Sequence, residues 1–140
     1  MTYIPESLRD QVEKRAQSRC EYCHLHENHA YFVHEIDHIY AEKHGGETRE
    51  DNLCLACSDC NRRKGSNLCS LDPQTGKVVT LFHPRLDKWD EHFHLEDTGM
   101  ITPLSSTGRV TERVLGFNRL ELVIDRARLI ALGSYKDQDS

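Results

Sequence analysis

The chain has 140 residues, 37% hydrophobic and 29% charged, with a formal net charge of −5. That length suits one domain over 1–140 with a modest core. No apolar run approaches the roughly 20 residues of a membrane span. The start Met1-Thr2-Tyr3-Ile4-Pro5-Glu6 lacks the basic and apolar regions of a secretory signal, so a cytoplasmic protein is expected. The acidic balance argues against a uniformly basic nucleic-acid footprint. Positive charge is nonetheless clustered: Arg62, Arg63 and Lys64 are consecutive, and Arg109, Arg113, Arg119, Arg126 and Arg128 crowd the C-terminal part.

In chain order, Pro5 and the spacing of Leu8, Val12, Arg15 and Ala16 predict a helix over Glu6–Ser18. Residues 30–39 are rich in aromatic and β-branched types and read as a strand or tight hairpin. His44-Gly45-Gly46-Glu47-Thr48 is loop chemistry, residues 53–56 form a short apolar run, and Ser58 is placed to cap a helix to about Ser66. Residues 72–76 form a turn before a strand over 77–82, and 92–96 with 100–104 flank a hairpin turn. Ser106 or Thr107 is expected to cap a helix to Leu115, and Asn118 a second to about Leu132, stopped by Gly133. In that last helix Leu120, Val123, Ile124, Ala127 and Ile130 form an apolar stripe expected to pack on the core.

Six cysteines are present, and four form the pairs Cys20-x-x-Cys23 and Cys57-x-x-Cys60. In a reducing compartment, two CxxC pairs read as one tetrahedral four-thiolate zinc site. Residues 24–56 lie between the pairs, so zinc would close that inserted unit, and its binding free energy would be folding free energy. Cys54 and Cys69 fall outside the pairs and read as small apolar residues in or near the core.

Between the knuckles lies His34-Glu35-Ile36-Asp37-His38-Ile39. Hydrolysing a phosphodiester requires a base for water and a positive charge for the phosphate and the departing oxygen. Histidine titrates in the right range for the first task. A hard divalent ion, Mg2+ or Mn2+, serves the second on oxygen ligands such as the Asp37 carboxylate and the Asn61 amide. Successive strand residues face opposite ways, so Asp37 and His38 require a strand end or kink. His34 and His44 are the nearest competing histidines.

Read together, Asp37-His38-Ile39, Gly45-Gly46, Asn52-Leu53, Cys57-x-x-Cys60-Asn61 and Lys64 resemble the HNH (ββα-metal) endonuclease family, over Cys20 to about Gly65. The stretch Leu81-Phe82-His83-Pro84-Arg85, Trp89, His92-Phe93 and Thr107-Gly108-Arg109 also looks like the C-terminal region of small bacterial HNH proteins. The resemblance implies an α+β fold: a ββα-metal core (about 20–66) with four-cysteine zinc knuckles, an N-terminal helix, and a strand/helix extension (about 77–133). It implies Asp37 and Asn61 as ligands of a catalytic Mg2+ or Mn2+, His38 as general base, and Asn52 as the residue that fixes the loop and orients the histidine. The last motif position is often histidine in the family and is asparagine here, which favours the harder metals.

The function expected is hydrolysis of DNA, double-stranded, by a one-metal mechanism, as a nicking monomer or a homodimer that cuts both strands. Zn2+ is structural, and Arg62, Arg63, Lys64 and Arg109 are candidate DNA contacts. The alternatives are a zinc-stabilised nucleic-acid-binding module without catalysis and a zinc-dependent protein-interaction domain. Neither has a chemical need for Asp37, His38, Asn52 and Asn61 together.

Overall fold

A computed structural model describes residues 2–135. The architecture is α+β, with five α-helices and three two-stranded antiparallel sheets among the described residues. The chain forms two compact units, one of residues 2–67 and 83–86, the other of 68–82 and 87–135.

The first unit opens with α1 (Glu6–Ala16), which carries Glu6 in its first turn and Lys14 and Arg15 in its last, matching the helix dipole at both ends. Strand β1 (Glu35–His38) pairs with β2 (Leu53–Ala56), with Glu35 opposite Ala56, Ile36 opposite Leu55, Asp37 opposite Cys54 and His38 opposite Leu53. Paired residues share a face, so this register sorts the hairpin into two. Ile36, Leu53 and Leu55 pack with Ile4, Leu8, Val12 and Ala16 from the α1 side. Glu35 and Asp37 lie on the opposite face and meet helix α2 (Ser58–Lys64).

The strand expected over residues 30–39 is confined to Glu35–His38. Residues 31–33 extend into solvent, Tyr31 being 100% exposed, and have no partner strand among the described residues. The cap of α2 is Cys57 and not Ser58. The Cys57 sulfur accepts from the Cys60 amide (3.4 Å), a bond that the knuckle turn itself imposes. The His83–Leu86 segment belongs to this unit: the His83 ring stacks edge-on against Tyr40 at 4.9 Å, and Arg85 pairs with Glu21.

The second unit holds the hairpins β3 (Cys69–Leu71) with β4 (Val78–Thr80) and β5 (Phe93–Leu95) with β6 (Ile101–Pro103). Its helices are α3 (Trp89–His92), α4 (Ser106–Leu115) and α5 (Leu120–Ala131). Phe93 centres the core, with its ring 5.6 Å from Phe82, 5.5 Å from Phe117 and 5.0 Å from Trp89. Ser105, one residue before the expected cap, caps α4 by accepting from the Gly108 amide at 3.0 Å. Asn118 does not cap α5. Its carboxamide instead mimics a strand partner for Ile101, accepting from its N–H and donating to its C=O, both at 2.8 Å.

The apolar stripe of α5 is only partly covered. Leu120 and Ile124 are 72% and 50% exposed, whereas the buried residue of the helix is Arg126, which donates to the carbonyls of Gly99 and Phe117 at 2.6 Å each. Gly99 makes the close approach possible: at φ +93°, an added Cβ would lie 2.2 Å from the Val123 carbonyl oxygen. Cys54 is buried as expected, but Cys69 is exposed, because it sits on the outward face of a short hairpin strand whose middle residue Ser70 faces inward.

Candidate nuclease site and zinc centre

The two knuckles converge. Cys20, Cys23, Cys57 and Cys60 are all buried, and their sulfurs lie within 4.8 Å of one another, with Cys23 and Cys57 3.8 Å apart. A tetrahedron with Zn–S bonds of about 2.3 Å has an edge of about 3.8 Å, so the cluster fits a zinc ion. Electrostatics point the same way. Hydrogen bonds from Cys20, Cys23 and Cys60 hold the Cys57 thiol far below its ordinary value. Burial drives Cys20 up, and its neighbours' thiols drive Cys60 up. Charging Cys20 and Cys60 as well as Cys57 is thus disfavoured unless a cation compensates them.

Asp37 lies on the hairpin face toward α2 and is 7% exposed. Its Oδ2 accepts from the Tyr22 hydroxyl at 3.0 Å, lies 3.2 Å from the Lys64 ammonium and is 3.8 Å from the Cys54 sulfur. Oδ1 accepts no hydrogen bond among the described residues. Burial raises the carboxyl above its usual range, and the adjacent Lys64 opposes that shift. Asn61 lies on the α2 face toward β1, where its Nδ2 donates to a Glu35 carboxylate oxygen, and its amide oxygen accepts no hydrogen bond among the described residues. Two hard oxygen donors, Asp37 Oδ1 and the Asn61 amide oxygen, thus come from facing elements, each with its companion atom tied to the protein. This donor set suits magnesium or manganese.

His38 takes the opposite face by strand parity, at the residue where β1 ends, so the required strand end is present. Its Nε2 lies 2.9 Å from the Thr48 hydroxyl, and its carbonyl accepts from Lys64 Nζ at 3.1 Å. In the tautomer where Nε2–H donates to Thr48, the Nδ1 lone pair is the ring's proton acceptor.

Asn52 clasps the loop between the strands. Its Oδ1 accepts from the Tyr40 N–H (2.9 Å), and its Nδ2 donates to the carbonyls of Tyr40 (3.0 Å) and Glu47 (2.9 Å). The next residue after Glu47 is Thr48, so the clasp positions the hydroxyl that holds His38. Gly46 has no room for a side chain: an added Cβ would lie 1.7 Å from the Tyr40 oxygen and 2.9 Å from Asn52 Nδ2.

Residues 20–67 match the family described as HNH endonuclease. Over this segment, about a third of the chain, the sequence is similar to that family. The match points to nuclease-type chemistry for this segment, the kind that uses divalent metal and nucleic acid. A curated relative, the Septu protein PtuA of Bacillus mycoides (strain KBAB4), is 31% identical over 93 residues, covering 59% of this chain and 13% of the relative. The chain therefore spans a small part of that protein's length. No helix is long and apolar enough to cross a membrane among the described residues.

The remaining expected site residues are placed as follows. Arg62 and Arg63 extend from the exposed side of α2 and pair with Asp59. Lys64, expected as a DNA contact, is 2% exposed and committed to Asp37 and the His38 carbonyl. Arg109, also expected on DNA, is forked onto the buried Asp72 carboxylate with two bonds of 2.9 Å, which leaves its Nε and Nη2 donors occupied. His34 is buried against the Leu25 carbonyl (2.8 Å), and His44 lies 3.1 Å from the Ser66 carbonyl. Sequence reasoning missed Tyr22, Thr48 and Glu35. Glu35 was readable from strand parity with Asp37, and Lys64 from its position one helical turn beyond Asn61. Nothing local marks Tyr22 or Thr48.

Proposed function

We propose that the HNH domain hydrolyses DNA phosphodiester bonds, with His38 as general base and with Asp37 and Asn61 as the residues that would hold a catalytic magnesium or manganese ion. The observation that carries this reading is an oxygen on each of Asp37 and Asn61 with no partner among the described residues, Asp37 being next in sequence to His38, whose Nε2 is tied to Thr48. When bound, the ion supplies charge that stabilises the phosphoryl oxygens and the leaving 3′ oxygen. His38 accepts a proton from the attacking water at Nδ1, and Thr48, bonded at Nε2, holds the ring in the orientation this needs. Asn52 contributes by holding the loop that carries Thr48. Arg62 and Arg63, exposed on α2, supply phosphate contacts. The zinc ion on Cys20, Cys23, Cys57 and Cys60 is structural.

Double-stranded DNA is the proposed substrate, nicked by a monomer or cut on both strands by a homodimer. The test is a supercoiled-plasmid assay with magnesium, manganese or EDTA, run with wild type and His38→Ala. Cutting that requires metal and drops by about 10²–10⁴-fold in the variant supports the assignment. Undiminished cutting by a folded His38→Ala protein overturns it. DNA binding without cutting under either metal would favour the zinc-stabilised binding module.

A further inference from the structure

We propose that Lys64 and Tyr22 clamp one oxygen of Asp37, and that the fixed charge of Lys64 keeps the affinity of this site for a free divalent cation low until DNA is bound. The proposal rests on the reading of Asp37 as a metal ligand.

The geometry is that of a closed clamp. Lys64 Nζ reaches both Asp37 Oδ2 (3.2 Å) and the His38 carbonyl (3.1 Å), so it joins the metal-ligand residue to the backbone of the adjacent base. The Tyr22 hydroxyl closes on the same Oδ2 (3.0 Å). Both arms grow out of the zinc centre. Tyr22 lies inside the first knuckle, and Lys64 ends the helix that the second knuckle starts. With Oδ2 taken, Asp37 presents a cation with a single oxygen.

Charge sets the affinity. The β1 face toward α2 carries Glu35 and Asp37, and Lys64 cancels one of the two negative charges. A divalent ion entering here meets a net single negative charge and, close by, a buried ammonium that is shielded from solvent. The phosphate of DNA supplies the missing negative charge. Metal and DNA should therefore strengthen each other's binding, as linkage requires. A purely structural role for Lys64 predicts the opposite consequence of its loss, because a disordered Asp37 would bind metal less well.

The experiment measures Mn2+ binding to the zinc-loaded full chain without DNA, by the electron paramagnetic resonance signal of free Mn2+, beside plasmid cutting. Lys64→Met should bind Mn2+ roughly tenfold more tightly or better, yet cut more slowly because the clamp on Asp37 and His38 is gone. Lys64→Arg, which keeps the charge, should bind Mn2+ like wild type. If Lys64→Met does not fold, Lys64→Gln removes the charge while keeping a donor for Oδ2, and the same tightening is expected. Mn2+ affinity equal to or weaker than wild type in the folded neutral variant overturns the clamp. Asp37→Asn separates the two failures. If it abolishes Mn2+ binding while the neutral variant stays at the wild-type affinity, the clamp fails alone. If it leaves Mn2+ binding unchanged, the assignment of Asp37 fails and the clamp with it.

Discussion

Replacing Asn52 by aspartate is the most informative single change, because it alters the loop clasp without altering its shape. The Oδ1 that accepts from the Tyr40 N–H is retained. Lost are the two bonds donated to the carbonyls of Tyr40 and Glu47, at 3.0 and 2.9 Å. At about 0.5–1.5 kcal/mol net for each, that loss is about 1–3 kcal/mol. A carboxylate would also face two carbonyl oxygens in a site where Asn52 is 8% exposed. Protonation relieves this conflict and limits the electrostatic penalty at pH 7 to about 4 kcal/mol, since a carboxyl of ordinary pKa near 4 costs 1.36 kcal/mol per unit to protonate. The two contributions together give about 1–7 kcal/mol. The sign with pH follows. The folded-state pKa of the new carboxyl is raised, so the penalty is present at neutral pH and shrinks as pH falls through that raised value toward 4. Asn52→Ala loses all three bonds of the clasp, the one from the Tyr40 N–H included, with no such pH dependence. Urea denaturation followed by far-UV circular dichroism at several pH values reads both. A stability within about 0.5 kcal/mol of wild type at pH 7 would refute the reasoning, that being below the net value of two ordinary hydrogen bonds. So would a deficit that does not change with pH.

Removing zinc with a strong chelator should unfold the first unit, since four buried thiols lose their common cation; hydrogen exchange should show loss of protection at β1, β2 and α2. Metal analysis giving no zinc on a protein of unchanged structure would contradict this. Gly46→Ala should lower the midpoint of denaturation and slow cutting together, because its Cβ has to displace the Tyr40 carbonyl and Asn52; comparing the two losses with those of Asn52→Ala tests whether both act on one clasp. Arg109 holds the Asp72 carboxyl well below the usual carboxylate range. The stabilisation from that pair is therefore present above the unfolded value near 4 and is lost as pH falls through the depressed folded value. Asp72→Asn should lower Tm at neutral pH and flatten its fall in acid. Arg109→Ala should lower Tm while leaving DNA affinity unchanged; a weakened affinity at normal stability would restore Arg109 as a DNA contact.

Much of the site was legible because its chemistry sits in short spacings. Two CxxC turns can meet at one ion only if the chain between them closes, and Asp37-His38 at a strand end follows from parity. The charged contacts were not legible. Lys64 and Arg109 looked like phosphate ligands because sequence shows a cation and not its counter-ion. Asp37 and Asp72 lie 27 and 37 residues away respectively, and only the fold brings each pair together. Helix caps slipped by one residue for a local reason: a cysteine sulfur and the serine before the expected pair took the role. The strand of residues 30–39 was read too long because aromatic and β-branched residues signal strand equally well where no partner strand exists. In α5 the apolar periodicity was real, but a buried arginine, tied to two carbonyls, occupies the inner face.

The interleaving of the two units bears on what counts as a heritable piece of this protein. The chain leaves the first unit at residue 68, returns for His83–Leu86 and leaves again. A gene fragment cut to residues 20–67 would therefore drop Arg85, the partner of Glu21 inside the first knuckle, and the His83 ring that covers Tyr40 at the loop clasp. It would also strip away the α1 residues Leu8 and Val12, leaving Leu53 and Leu55 without a cover. The recognisable motif is thus shorter than the unit that packs around it, and a transplanted piece keeps all of these contacts only if it carries residues 2–86 together.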